Sequence, residues 1–151
     1  MSIPRSDADL TLSFRVPRSP MEVYDSINRV DAWWIGEVEG TFDTEGSVFT
    51  YEYKPYHRTV QQVVELVPGR RVVWKVLESA IHFVENGEEW KGTSILFEIA
   101  EKDGETEVRF THAGLTPKLA CFGNCSAGWE HYVGKSLPAL ILTGEGVDPK
   151  F

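Results

Sequence analysis

The stretch Asn124–Gly144, NCSAGWEHYVGKSLPALILTG, decides how the rest of the chain must be arranged. On a helical wheel Cys125, Trp129, Tyr132, Val133, Ser136, Leu137 and Leu140 share one broad face, and His131, Lys135 and Pro138 lie on the other side. That spacing predicts an amphipathic helix. At about 1.5 Å per residue, roughly twenty residues run about 30 Å, enough to cross a small domain. Pro138 lacks the N–H that would bond the Gly134 carbonyl, which predicts a bend. Gly144, Gly146 and Pro149 supply the stop. Nearly everything upstream reads as strand, so the expected architecture is a curved sheet folded around one long helix.

Working outward, Leu10, Leu12, Phe14 and Val16 alternate with polar residues, the period-two pattern of a half-buried strand ended by Pro17. Ser19 followed by Pro20 is a cap and a first-turn proline, and Val23, Tyr24 and Ile27 give the helix that follows its buried face. The adjacent indoles of Trp33 and Trp34 cannot both point into one core in the same direction, so one is expected to face an opening, a loop or a second copy of the chain. Strands are then predicted over Val38–Phe42, Val48–Tyr53, Thr59–Val67, Arg71–Leu77, Gly92–Ala100 and Thr106–His112. Turns are expected at Asp43–Gly46, Pro68-Gly69 and Asp103-Gly104, with an irregular stretch around Asn86-Gly87. Thr116-Pro117 predicts a short helix, broken at Gly123-Asn124 before the long one. In the strand at Thr59–Val67, Gln62 is placed on one face with Val60, Val64 and Leu66. The order β, α, several strands, α defines an α+β domain.

The 151 residues fit one domain with a sizeable core, and 42 % hydrophobic content with five Trp argues for an ordered globule. A formal charge of −8 speaks against nucleic acid as a partner. No apolar run is long enough to cross a bilayer, so no membrane is expected. Met1–Asp9 carries no apolar leader pattern, and two cysteines are too few for a disulfide framework, which together predict the cytoplasm.

Two blocks are recognisable as motifs. One is Trp90-Lys91-Gly92-Thr93 with Ile95 and Phe97-Glu98-Ile99. The other is Phe110-Thr111-His112-Ala113-Gly114-Leu115 with Cys121, Cys125, Gly128-Trp129, Tyr132, Ser136-Leu137 and Thr143-Gly144. Together they resemble the START-like (SRPBCC) superfamily, in the branch similar to activators of the heat-shock-protein-90 ATPase. The resemblance covers about Leu10 to Gly144 and implies a helix-grip fold. In that fold a curved antiparallel sheet of six to seven strands wraps a long C-terminal helix, in β-α-β(n)-α order, with a cavity between them. It implies a single START-like domain over residues 1–151. It also implies that a small apolar molecule is bound there, that some members perform cyclase or aromatase chemistry, and that a chaperone is a candidate partner. The eukaryotic activators carry a separate N-terminal domain, for which 151 residues are expected to leave no room.

Phe49, Tyr51, Tyr53, Trp74, Phe97, Phe110 and His112 are in phase on their strands, and Trp129 and Tyr132 share the helix face. Each alone is an ordinary core residue. As a group they carry too many hydroxyl, indole and imidazole groups for a dry core, which predicts a partly polar pocket. Tyr51, Trp74, Phe97, Phe110, His112, Trp129 and Tyr132 are the expected ligand-binding residues. His112 is also the candidate acid/base if the chain is a cyclase or dehydratase, the alternative being a buried imidazole bonded to its neighbours. Cys121 and Cys125 are spaced C-x₃-C with no second pair, which predicts buried free thiols and no metal site. No cofactor is expected, since no phosphate-cradling glycine loop, G-x-S-x-G or H-E-x-x-H is present. Glu88 and Glu89 read as a solvated loop. Lys54–Arg58 (KPYHR) reads as a surface hairpin tip that could gate a cavity mouth. A protein-interaction module remains an alternative to ligand binding, and the chain is expected as a monomer or homodimer.

Overall fold

The computed structural model describes residues 9–54, 57–81, 87–117, 119–120 and 122–147. Pro55, Tyr56, Asn86, Cys121 and Pro149 therefore lie outside the described residues, and with them the C-x₃-C pairing and part of the expected helix stop.

Seven antiparallel strands form one curved sheet: β1 (Leu10–Val16), β2 (Glu37–Gly40), β3 (Val48–Tyr53), β4 (His57–Val67), β5 (Arg71–Ile81), β6 (Ser94–Lys102) and β7 (Glu105–Ala113). Their spatial order is β1-β7-β6-β5-β4-β3-β2. Each strand from β2 onward pairs with its sequence neighbour, and β1 closes against β7 with Leu10 opposite His112 and Val16 opposite Thr106. Asp103 and Gly104 both have positive φ, 52° and 80°, the backbone of the tight turn their sequence predicts between β6 and β7. Trp74, Val76, Ile95, Phe97, Val108 and Phe110 lie on the inner face and are fully buried.

α1 (Pro20–Ile27) starts as its sequence directs. The Glu22 N–H donates to Ser19 Oγ, and the Ser19 N–H donates to the Glu22 carboxylate, a reciprocal capping box. Val23, Tyr24 and Ile27 form its buried face. α2 (Val30–Trp33) is a single turn, and its end corrects the expectation of a contact with a second copy: Trp33 and Trp34 are both buried, at 0 % and 2 % exposure, while Trp34 faces the cavity described below. Trp34 leaves the helical backbone (φ −91°, ψ 82°), so the two indoles need not diverge. They lie nearly parallel with centroids 6.3 Å apart, and Trp33 Nε1 donates to the Ile27 carbonyl. Neither is available as a surface contact with another copy.

The long C-terminal helix is present and is built in three parts. These are α3 (Phe122–His131), a π-helical turn over Tyr132–Ser136, and α4 (Leu137–Thr143). The Leu137 N–H bonds the Tyr132 carbonyl five residues back, so the irregularity expected from Pro138 takes the form of a π turn just before it. That turn keeps Tyr132, Val133, Ser136 and Leu137 all buried. Gly144, at φ 89°, ends the helix.

Two other expectations are corrected. The region from Thr116 forms successive turns, with Leu119 N–H bonding Thr116 O and Phe122 N–H bonding Leu119 O. Gly123 and Asn124 lie inside α3 and do not break it. In β4 the buried polar residues are Thr59 and Gln61, with Gln62 half-buried and Val64 exposed. Register shifts at Val60/Gln61 and Val63/Glu65 break the period-two count there.

Candidate functional site

The chain's five tryptophans all belong to one connected aromatic assembly under the C-terminal helix. At its inner end Trp74 stacks between the sheet and the Trp33–Trp34 pair, with centroids 6.2 and 6.1 Å away. Phe97 meets Trp74, Trp33 and Phe110 edge-on. This part is filled.

At the other end the assembly opens. A cavity of about 460 Å³ is lined by Trp34, Tyr51, Tyr53, His57, Trp90, Asn124, Cys125, Ala127, Gly128, Trp129 and Tyr132. Strands β3 and β4 supply Tyr51, Tyr53 and His57, the turn before β6 supplies Trp90, and α3 lays its small residues Ala127 and Gly128 across the gap. Trp34 stacks on Tyr51 at 3.9 Å and 11°, while Trp90 lies nearly parallel to Trp129 at 5.6 Å. The Tyr51 hydroxyl donates to the Ile35 carbonyl at 2.7 Å, and the Tyr132 hydroxyl lies 3.3 Å from both Tyr51 Oη and Ile35 O. Burial, reinforced by Tyr132, raises the Tyr51 hydroxyl well above its ordinary pKa, so it stays protonated and donates. Gly36 allows this approach, because a Cβ there would stand 2.7 Å from the Tyr51 ring.

Of the seven residues predicted for ligand binding, Tyr51, Trp129 and Tyr132 line the cavity. Trp74, Phe97, Phe110 and His112 lie outside its lining, in the buried core. Phase along a strand placed all of them on the inner face, but it does not say which end of that face the helix fills. Trp34, Trp90 and His57 line the cavity from loop or strand-end positions that periodicity does not reach. Their available signals were a tryptophan two residues before Gly36, a tryptophan before Lys91-Gly92, and the KPYHR tip.

His112 is completely buried, and its hydrogen bonds fix its state. Trp129 Nε1–H donates to His112 Nδ1 at 3.0 Å, so the imidazole proton sits on Nε2 and is directed at Thr93 Oγ1, 2.8 Å away. Thr93 in turn donates to the Trp90 carbonyl. Burial, with a smaller contribution from His57, pushes the His112 pKa from 6.5 down to about 3. A neutral ring with both nitrogens engaged is a structural link between Trp90 and Trp129, which leaves no open lone pair for acid/base work.

Cys125 is buried, and its Sγ accepts from Trp90 Nε1 at 3.3 Å. Among the described residues no three His, Cys, Asp or Glu side chains converge as metal ligands. Glu89 bonds the Ala120 N–H and Glu88 pairs with Lys91, so the adjacent carboxylates tie loops together.

A curved seven-stranded sheet gripping a C-terminal helix over an aromatic cavity is the START-like, helix-grip arrangement. Within it, the chain belongs to the family described as "Activator of Hsp90 ATPase homolog 1-like protein", whose model matches residues 19–141. The solved Aha1 dimer from Colwellia psychrerythraea superposes with a TM-score of 0.74 at 22 % identity, covering 92 % of this chain and 99 % of that one. DynU16, a protein of the dynemicin biosynthetic locus, superposes at 0.68 with 18 % identity, covering 93 % of this chain and 49 % of its own. CalU16 from Micromonospora echinospora gives 0.63 at 17 % identity, covering 89 % and 76 %. At these identities the likeness is one of fold. None of the curated proteins matches the chain. Among the described residues, no helix is long and apolar enough to cross a membrane.

Proposed function

We propose that the chain binds a small, largely apolar molecule in the cavity between α3 and the β3–β4 end of the sheet. The observation that carries this reading is the cavity itself. About 460 Å³ lies within the range of small-molecule sites, and its walls are aromatic with a few polar atoms among them. The tyrosine pair on the Ile35 carbonyl and the His112-anchored indoles hold those walls in place. Native mass spectrometry of freshly purified protein, compared with the denatured mass, tests the reading. An extra mass lost on denaturation is the expected result and names the ligand class. A bare protein that takes up no compound from a library of aromatic and aliphatic small molecules overturns it.

A second reading is favoured by the family match over residues 19–141: an interaction module acting on a chaperone ATPase. It uses outer surfaces and loops and needs no occupied cavity. Pull-down with the chaperone and stimulation of its ATPase support it, and their absence ends it. The Colwellia protein was solved as a dimer, and the native mass also tests whether this chain pairs in the same way.

A further inference from the structure

Three consecutive inward positions of β4 carry polar side chains where a sheet's inner face calls for apolar ones. His57, Thr59 and Gln61 alternate with Arg58, Val60 and Gln62, and Thr59 and Gln61 are fully buried. Gln61 Nε2 donates to Thr59 Oγ1, which lies 3.3 Å from His57 Nε2. At the inner end, Gln61 Oε1 has no hydrogen-bond partner among the described residues. At the outer end, His57 lines the cavity, its ring edge-on to Trp90 at 4.6 Å and to Tyr51 at 5.5 Å. Burying two polar side chains and leaving one acceptor unpaired costs stability. Departures of this kind from local rules concentrate at functional sites.

The rest of the described lining contains no Asp, Glu, Lys or Arg. Its other polar atoms are tyrosine hydroxyls, indole N–H groups, the Asn124 amide and the Cys125 thiol, so His57 is the lining side chain able to carry positive charge. Resting on the binding reading above, we infer that the cavity takes molecules with an aromatic body and an acidic head, such as a carboxylate, sulfonate or phenolate. The head pairs with His57, and the body lies against Trp34, Trp90 and Trp129. Thr59 suits this role because its hydroxyl serves both states of the ring. It donates to Nε2 of the neutral imidazole and accepts from Nε2–H of the cation. The Trp34 and Trp90 rings lie edge-on to His57 and shield it in part from water, which strengthens a charge-assisted hydrogen bond.

The test uses two fluorescent probes with the same aromatic body, anilinonaphthalene sulfonate and the uncharged phenylnaphthylamine, titrated against wild type, His57→Gln and Gly128→Phe. Gly128 lines the cavity and an ideal Cβ there meets nothing within 4 Å, so Gly128→Phe is designed to place its phenyl ring in the cavity space. His57→Gln is expected to weaken the sulfonate about tenfold and to leave the neutral probe within about twofold, its retained binding reporting a folded cavity. Gly128→Phe is expected to abolish both. Equal weakening of both probes by His57→Gln, or weakening of neither, overturns the acidic-head inference while the cavity stands. If neither probe binds wild type, or Gly128→Phe leaves both unaffected, the binding reading itself fails.

Discussion

The two ends of the aromatic assembly are made of similar residues and are built for different purposes. At the inner end Trp33, Trp74, Phe97 and Phe110 interlock edge-to-face and stacked, fully buried between sheet and helix. At the cavity end Trp34, Tyr51, Trp90 and Trp129 hold comparable rings apart with fixed polar anchors: Ile35 O for Tyr51, Cys125 for Trp90, His112 for Trp129. Rings that fill space are placed by neighbouring rings. Rings that border space need hydrogen bonds, because nothing stands on their open side. The contrast is one of degree, since Trp33 at the inner end also donates to the Ile27 carbonyl, but the anchored rings are concentrated at the cavity end.

The largest expected effect separates the ends by truncation. Phe97→Ala leaves a hole in a region that cannot collapse and should cost about 3–5 kcal/mol. Tyr53→Ala, at the half-buried cavity rim, should cost roughly 1 kcal/mol. Chemical denaturation of both variants measures the difference, and equal losses would mean that the cavity end is packed as tightly as the core.

A second prediction concerns the link between the ends. His112→Leu leaves Trp129 Nε1 and Thr93 Oγ1 without their partner and should cost about 2 kcal/mol at pH 7.5. The folded protein keeps His112 neutral down to about pH 3, whereas the unfolded chain takes up a proton below about 6.5. The stability this neutral residue contributes is therefore complete above pH 6.5 and falls as pH drops, by about 1.4 kcal/mol per unit. At pH 5 wild type should have lost about 2 kcal/mol through His112, a loss the leucine variant escapes, so the gap between them closes. A gap of the same size at both pH values would mean that the folded protein protonates His112, contrary to the hydrogen-bond chain.

The same contrast governs what the sequence made legible. Alternation set the strands at Leu10–Val16 and Val48–Tyr53 to the residue, and Ser19-Pro20 and Gly144 set helix ends, because those signals are local. The family motifs agreed with the helix-grip arrangement. The cavity was legible only in part. Trp74, Phe97 and Phe110 carry the same inward phase as Tyr51, and what distinguishes them is where α3, Trp34 and Trp90 come to rest. Gln61 was hidden by a different cause, since strand bulges shift the inward phase and a strict count pointed to Gln62. Pro138 marked an irregularity, but the backbone alone reveals that it is a π turn holding Tyr132 at the cavity.

The smallest effect is the sharpest test of why one end is left open. Gly128 lies mid-helix in α3, without the positive φ that would require glycine, and a Cβ there would meet nothing within 4 Å. On helix propensity alone, Gly128→Ala should stabilise the protein by about 1 kcal/mol. Gly134, in the π turn, is equally open to a Cβ but faces solvent away from the cavity, so Gly134→Ala serves as its control. Both variants should unfold at higher denaturant concentration than wild type. Only Gly128→Ala should weaken the neutral naphthylamine probe, because its methyl group occupies space that the bound molecule needs. That pair of outcomes would identify Gly128 as a position where stability is given up for binding. Unchanged probe affinity in Gly128→Ala would place the bound molecule elsewhere along the cavity, away from α3.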